Sequence, residues 1–252
     1  MNLPSTSATF SLLRAMQQTQ SRLDRTFTHL ATGKRIASAS DDAAGLAISQ
    51  RLLAQERGYA QGERNLQDGG GYTATTEGSL QSSNETLQRM RELAVQAGNG
   101  TLSETDRATI QEEYDQLAAT LDQTSTGSLS TTFTDGNGGE ITVDVTDTSA
   151  AALGVGGLAV GDPGTLEALD HATDQVSAQR GRLGAAENQL GRRSDVVAQM
   201  REAMAAARSR IEDADYATEM ASLMRDRILH GMQAAGLRLI LRAERTPLNL
   251  LA

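Results

Sequence analysis

Residues 166–213 read LEALDHATDQVSAQRGRLGAAENQLGRRSDVVAQMREAMAAARSRIED, and their spacing decides the fold. Leu169, Val176, Leu183, Leu190, Val197, Met204 and Ile211 recur every seven residues without a miss. Three places behind each stand Ala172, Gln179, Ala186, Arg193, Met200, Ala207 and Ala214. This is a heptad seam whose second row is mostly small, with two polar breaks at Gln179 and Arg193; small residues let helices approach closely. The spacing predicts one helix from about Leu166 to Asp213, roughly 70 Å long at ~1.5 Å per residue. Gly181, Gly184 and Gly191 weaken its intrinsic propensity and read as close-packing points.

A helix of that length needs a partner. The stretch from Ala43 to about Gly98 has a helical composition, with a weak point at Asp68-Gly69-Gly70-Gly71. If continuous it is roughly 80 Å long. Asp41 and Asp42 stand at its start, where carboxylates satisfy free N–H groups and the helix dipole, so capping is preferred over acid–base chemistry. Gly98-Asn99-Gly100 closes it, and Thr101 or Ser103 can cap a third helix carrying Ile110, Tyr114, Leu117 and Leu121. Nearer the ends lie two further amphipathic stretches. In the first, Leu13, Met16, Gln20, Leu23, Phe27 and Leu30 alternate steps of three and four up to Thr32-Gly33, and residues 34–40 read as a connector. The last, 214–252, carries Leu223, Ile228, Leu237, Ile240 and Leu241, and is expected to pair with residues 5–31. Between Thr124 and Gly164, Thr131–Thr134 and Glu140–Val145 flank Asp135-Gly136-Asn137-Gly138-Gly139, the pattern of a hairpin. The expected fold is mainly α: an elongated antiparallel helical bundle, or coiled-coil rod, with a small β-hairpin. Its expected domains are a terminal coiled coil (1–40 with 215–252) and a helical shaft (41–214) that includes the hairpin region 124–164.

Composition narrows the function. The apolar share is 38% but only 3% of residues are aromatic, so the core is built of aliphatic residues and Met, which suits narrow helical seams. There is no Cys, which removes disulfides and thiolate chemistry. The N-terminus lacks the basic region and apolar run of a cleaved signal peptide, and no run of about 18 apolar residues predicts a membrane span. The net charge of −9 is unevenly placed: residues 1–35 carry +4, residues 225–252 carry +3, and the remainder −16. Basic ends could be nucleic-acid arms, but without aromatic interleaving they read as the polar faces of amphipathic helices. The three histidines, His29, His171 and His230, are far apart in sequence, there is no phosphate-binding loop, and Gly154-Val155-Gly156-Gly157 has neither the preceding strand nor the acidic follower of a dinucleotide site. No catalytic residue, metal site or cofactor is expected.

Several long motifs, in order, resemble bacterial flagellin. They are Leu30-Ala31-Thr32-Gly33-Lys34-Arg35-Ile36, Ser40-Asp41-Asp42-Ala43-Ala44-Gly45-Leu46-Ala47-Ile48, Asn65-Leu66-Gln67-Asp68-Gly69 and Leu87-Gln88-Arg89-Met90-Arg91-Glu92-Leu93-Ala94-Val95-Gln96. Near the other end stand Leu183-Gly184-Ala185-Ala186-Glu187-Asn188 and Ser209-Arg210-Ile211-Glu212-Asp213-Ala214-Asp215-Tyr216-Ala217. The resemblance implies a short form in which only about 40 residues occupy the interval that usually holds variable outer domains. It implies a non-enzymatic, extracellular filament subunit that serves motility, is secreted without a cleaved signal peptide, and polymerises through a seam of Leu13, Met16, Leu23, Phe27, Leu30, Leu223, Ile228, Leu237, Ile240 and Leu241. Implied partners are copies of itself, filament cap and hook-junction proteins, an export chaperone and the flagellar type III export apparatus. A flagellin-sensing Toll-like receptor is implied at the positions matching Gln88, Arg89, Glu92, Leu93, Gln96 and Glu113. No nucleic acid or membrane partner is implied. The alternative within the same class is a hook–filament junction protein, which Ser103-Glu104-Thr105-Asp106-Arg107 also resembles.

Overall fold

Asp42 starts the longest helix. Its carboxylate accepts from the Gly45 N–H at 2.8 Å while its carbonyl accepts from the Leu46 N–H at 2.9 Å, the geometry of an N-cap. The computed structural model describes the backbone of residues 3–249 and the side chains of residues 7–242. Among the described residues, in chain order, are helix α1 (Leu3–Thr32), α2 (Ala43–Ala97), α3 (Glu104–Thr124), strands β1 (Leu129–Thr134) and β2 (Glu140–Val145), and helices α4 (Pro163–Glu212) and α5 (Tyr216–Asn249). The molecule is therefore mainly α with one antiparallel hairpin. Two units are distinct in packing, residues 1–55 with 203–252, and residues 56–202.

In the unit 56–202, α2 runs through Asp68-Gly69-Gly70-Gly71 without a break, which corrects the expected weak point. The reason is a second heptad seam. Tyr59, Leu66, Thr73, Leu80, Leu87 and Ala94 are buried at seven-residue intervals, and so are Gly62, Gly69, Thr76, Ser83, Met90 and Ala97 three places on. Packing along this face offsets the low propensity of the glycines. The buried hydroxyls return to their own helix: Thr73 to the Gly70 carbonyl, Thr76 to Tyr72 and Ser83 to Ser79, all within 3.1 Å. On α4 the predicted first row is buried at Leu169, Val176, Leu183, Leu190 and Val197. The pairs Glu63–Arg201, Glu77–Arg180 and Arg91–Asp170 descend α4 as they climb α2, so in this unit the two helices run antiparallel.

Gly181, Gly184 and Gly191 are not close-packing points. A Cβ built at any of them meets nothing within 4 Å, because all three lie off the seam. The close approaches are made by glycines of α2. A Cβ on Gly62 would collide with the Asp135 carbonyl group, and one on Gly69 would press on Phe133 and Leu190. These positions let the hairpin lie directly on the helix.

The hairpin forms where the alternation placed it. β1 and β2 pair antiparallel from Leu129↔Val145 to Thr134↔Glu140, with Ile141, Val143 and Val145 buried. Its tip is closed by the buried Asp135 carboxylate, which accepts from the N–H groups of Asn137 and Gly139, each at 2.8 Å. Both polar breaks of the α4 heptad serve this hairpin. Arg193 Nε donates to Asp135 Oδ2 at 2.6 Å, with a second guanidinium nitrogen on the same oxygen. Gln179 donates to the Asp144 carbonyl at 2.7 Å and accepts from the Thr146 hydroxyl at 3.1 Å. Burial pushes the Asp135 pKa up, but the Asn137 N–H, the Arg193 guanidinium and the Gly139 N–H together hold it below the ordinary carboxylate value. Helix α3 starts with a capping box between Ser103 and Asp106 and buries Ile110, Tyr114, Ala118 and Leu121. The Tyr114 hydroxyl donates to the Val155 carbonyl at 2.9 Å, and burial pushes its pKa up to about 12.

Candidate assembly surfaces

In the other unit, α1 packs along α5. The inner face of α1 buries Thr19, Leu23 and Thr26, with Met16 and Leu30 half-buried; α5 buries Leu223 and Asp226, with Leu237 and Ile240 half-buried. The seam read from sequence is thus divided between two faces. Met16, Leu23, Leu30, Leu223, Leu237 and Ile240 turn inward. Leu13, Phe27, Ile228 and Leu241 stay exposed, Phe27 at 47% and Ile228 at 65%. One row of α1 is shifted by a residue, so that Thr19 and Thr26 occupy the inner face in place of Gln20 and Phe27. A threonine can sit there because its hydroxyl is satisfied locally. Thr19 donates to the Ala15 carbonyl at 2.9 Å and accepts from Arg22 at 3.0 Å. Gln20 turns outward to Asp24 at 3.0 Å.

The inner seam is polar at several levels. Arg22 reaches the buried Asp226 at 3.2 Å, and His29 Nδ1 lies 3.0 Å from Glu219 Oε1. Among the described residues, His29 Nε2, Asp226 Oδ1 and Gln233 Oε1 are buried with no protein hydrogen-bond partner. The Arg227 guanidinium stands 5.6 Å from the centre of the Phe27 ring, bridging the two helices at their rim. The side chains of residues 243–252 lie outside the described residues.

The same unit holds a clasp between the two connectors. Gly33 leaves α1 with φ +69°, a left-handed turn. Its carbonyl accepts from the Ala214 N–H at 2.9 Å, and the Glu212 carbonyl accepts from the N–H groups of Arg35 at 2.7 Å and Ile36 at 3.3 Å. Arg35 also donates to the Ile211 carbonyl at 2.6 Å. The buried Glu212 carboxylate pairs with Lys34 and Arg208, and the Lys34 hydrogen bond holds its pKa below the ordinary value. Asp41 does not share the capping with Asp42; it accepts from the N–H groups of Ala37 and Ser38 and from the Ser38 hydroxyl, bracing the connector.

Further along α2, Gln88, Arg89, Glu92 and Gln96 are exposed together with Glu113 of α3. Arg89 joins the two helices, 2.7 Å from Glu113 and 3.0 Å from Glu92. Leu93 is a correction to this set: at 1% exposure it belongs to the core beneath the surface, because it lies beside the buried seam residues Met90 and Ala94. On α4, Met204 and Ile211 complete the seven-residue row but are only half-buried.

Residues 5–135 match the bacterial flagellin N-terminal helical region, and residues 166–252 match the bacterial flagellin C-terminal helical region. The chain belongs to the bacterial flagellin family. It is 36% identical over 250 residues to a flagellin of Halalkalibacterium halodurans, covering 91% of this chain and 90% of the relative. It is 31% identical over 296 residues to a flagellin of Bacillus subtilis, covering 97% and 96%. A flagellar filament core protein of Brachyspira hyodysenteriae is 33% identical over 240 residues, covering 82% and 84%. Within this flagellin-family chain the α2 heptad is masked in the sequence because Gly, Thr and Ser fill five of its twelve positions. Its seven-residue spacing was the signal that could have found it.

Proposed function

We propose that this chain is the structural subunit of a bacterial flagellar filament and that copies of it assemble through α1 and α5. One observation carries the reading: both helices bear an apolar face that their mutual packing leaves uncovered. On α1 it includes Phe10, Leu13 and Phe27, and on α5 it includes Met220, Met224, Ile228, Met232, Leu239 and Leu241. Exposed apolar surface of this extent marks a protein–protein interface. A contact that joins different patches on successive copies is open-ended and produces a helical polymer. In this reading residues 1–40 with 215–252 form the filament-core domain and residues 41–214 the shaft.

The same reading has the protein act outside the cell, delivered by the flagellar type III export apparatus with an export chaperone. Cap and hook-junction proteins meet the ends of the polymer. The exposed Gln88, Arg89, Glu92, Gln96 and Glu113 form the surface offered to a flagellin-sensing Toll-like receptor. The role is structural, with no catalytic step. Among the described residues no helix is long and apolar enough to cross a membrane.

The test is polymerisation of the purified protein, seeded with sheared filament fragments and followed by sedimentation and electron microscopy. Long filaments of this chain alone are expected. A protein that stays monomeric under seeding, or adds only a single layer to the seeds, overturns the reading in favour of a junction protein.

A further inference from the structure

The outer face of α5, part of the proposed assembly surface, carries a ladder of methionines. Met220, Met224 and Met232 stand at four-residue steps with Ile228 between them, on the side turned away from Leu223 and Asp226. They are 37%, 50% and 67% exposed. The chain has eight methionines. Of the other five, Met1 lies outside the described residues, Met90 is fully buried, Met16 and Met204 are half-buried, and Met200 of α4 is exposed.

We propose that Met220, Met224 and Met232 form an oxidation site for hydroperoxides that controls whether a subunit can assemble. The inference rests on the assembly reading above. In the reaction a thioether lone pair attacks one oxygen of the peroxide. The O–O bond breaks as the S–O bond forms, sulfur is oxidised by two electrons, and the departing oxygen takes up a proton to leave as water or an alcohol. The product is a sulfoxide, a polar and strongly accepting group in place of a soft apolar one. Three such groups on one stripe would each have to be buried without a donor when a second copy covers the face. The free subunit exposes all three residues to solvent, whereas a subunit whose face is covered does not. Oxidation therefore acts on the subunit before incorporation, and reversal by methionine sulfoxide reductases returns it to the assembling pool.

The experiment treats purified monomer with hydrogen peroxide, maps sulfoxides by peptide mass spectrometry, and then seeds polymerisation. Oxidation is expected to follow exposure, Met232 first and Met90 last. Filament yield should be lost once the three sites are converted and restored by methionine sulfoxide reductases A and B with a thiol reductant. Preformed filaments should keep the three residues reduced. The triple variant M220L/M224L/M232L alters the assembly face and retains Met200, so it is compared only with itself: peroxide should not lower whatever filament yield it reaches untreated. Two results overturn the proposal: wild-type protein oxidised at all three sites that still polymerises normally, or a triple variant that peroxide still blocks. If the triple variant does not polymerise even untreated, the reductase step decides, since failure to restore wild-type yield also overturns it. Untreated wild-type protein that never polymerises is a separate result and refutes the assembly reading itself.

Discussion

Gln179 and Arg193 stand two heptads apart on α4 and hold opposite ends of the same hairpin. About 21 Å of helix separates them. At one end the Gln179 amide donates to the carbonyl of Asp144, and at the other the Arg193 guanidinium holds the tip carboxylate of Asp135. A heptad row that is otherwise small or apolar is interrupted where the β-structure has to be pinned.

Removing the tip anchor should loosen the hairpin without melting the unit around it. Arg193→Met leaves Asp135 buried on two backbone N–H groups with no cation, and should cost about 1–3 kcal/mol. Denaturant unfolding measures the loss. Hydrogen exchange should locate it in residues 129–145, with amides of α1 and α5 unchanged.

Acid should act on the same contact. Asp135 has a lowered pKa in the folded chain, so its contribution is complete above the unfolded carboxylate value of about 3.9 and is lost as pH falls through that value towards the folded one. Glu212, held down by Lys34, titrates with the same sign. Stability measured between about pH 6 and pH 3 should therefore fall, and Asp135→Asn should make the slope shallower. An unchanged slope in the variant contradicts the assignment.

The two kinds of helical glycine should respond in opposite directions. Gly181→Ala places a methyl in open space on a helix and should stabilise by about 0.4–1 kcal/mol. Gly62→Ala drives a methyl into the Asp135 backbone and should destabilise by lifting the hairpin. Thermal midpoints of the two variants, read side by side, check both signs.

Much of this fold was legible in the sequence. The α4 row and the presence of the hairpin could be read, the first from its seven-residue period and the second from alternating β-branched residues around a Gly/Asn turn. The α2 seam has the same period, but Gly, Thr or Ser at five of its twelve positions break the apolar row that a search by hydrophobicity follows. The same limit shaped the assembly surface. Leu13, Gln20 and Phe27 look like one row of a seam, yet Thr19 and Thr26 take the inner positions, because a locally bonded hydroxyl packs there at little cost. Leu93 illustrates the complementary error: a residue inside a surface motif can still point into the core.

That division makes the assembly surface testable by pairs. Phe27→Asp and Ile228→Asp change exposed residues, so each variant should remain folded as a monomer and fail to polymerise. Leu23→Asp places a charge in the inner seam and should also unfold the α1–α5 pair, seen as lost helical signal and fast proteolysis of both ends. Filaments formed by Phe27→Asp together with Ile228→Asp would contradict the proposed face.

The proposed receptor surface divides in the same manner. Arg89→Ala removes exposed ion pairs worth about 0–1 kcal/mol, so it should lower activation of receptor-bearing reporter cells with little change in stability. Leu93→Ala should cost about 2–5 kcal/mol as a core truncation. Signal loss in Leu93→Ala should track the unfolded fraction, which a urea titration of the same sample measures.

The closed tip of the hairpin has one more consequence. Asp135 ties off the turn from inside, and Gly138 projects into open space with its neighbour Asn137 exposed. Extra chain spliced in after Gly138 would emerge from a knot already fastened to α2 and α4. Loop length is thermodynamically inexpensive, about 0.6 kcal/mol for each doubling. The tip is thus a mounting point for cargo: foreign epitopes or whole small domains could hang there while the scaffold beneath folds as before.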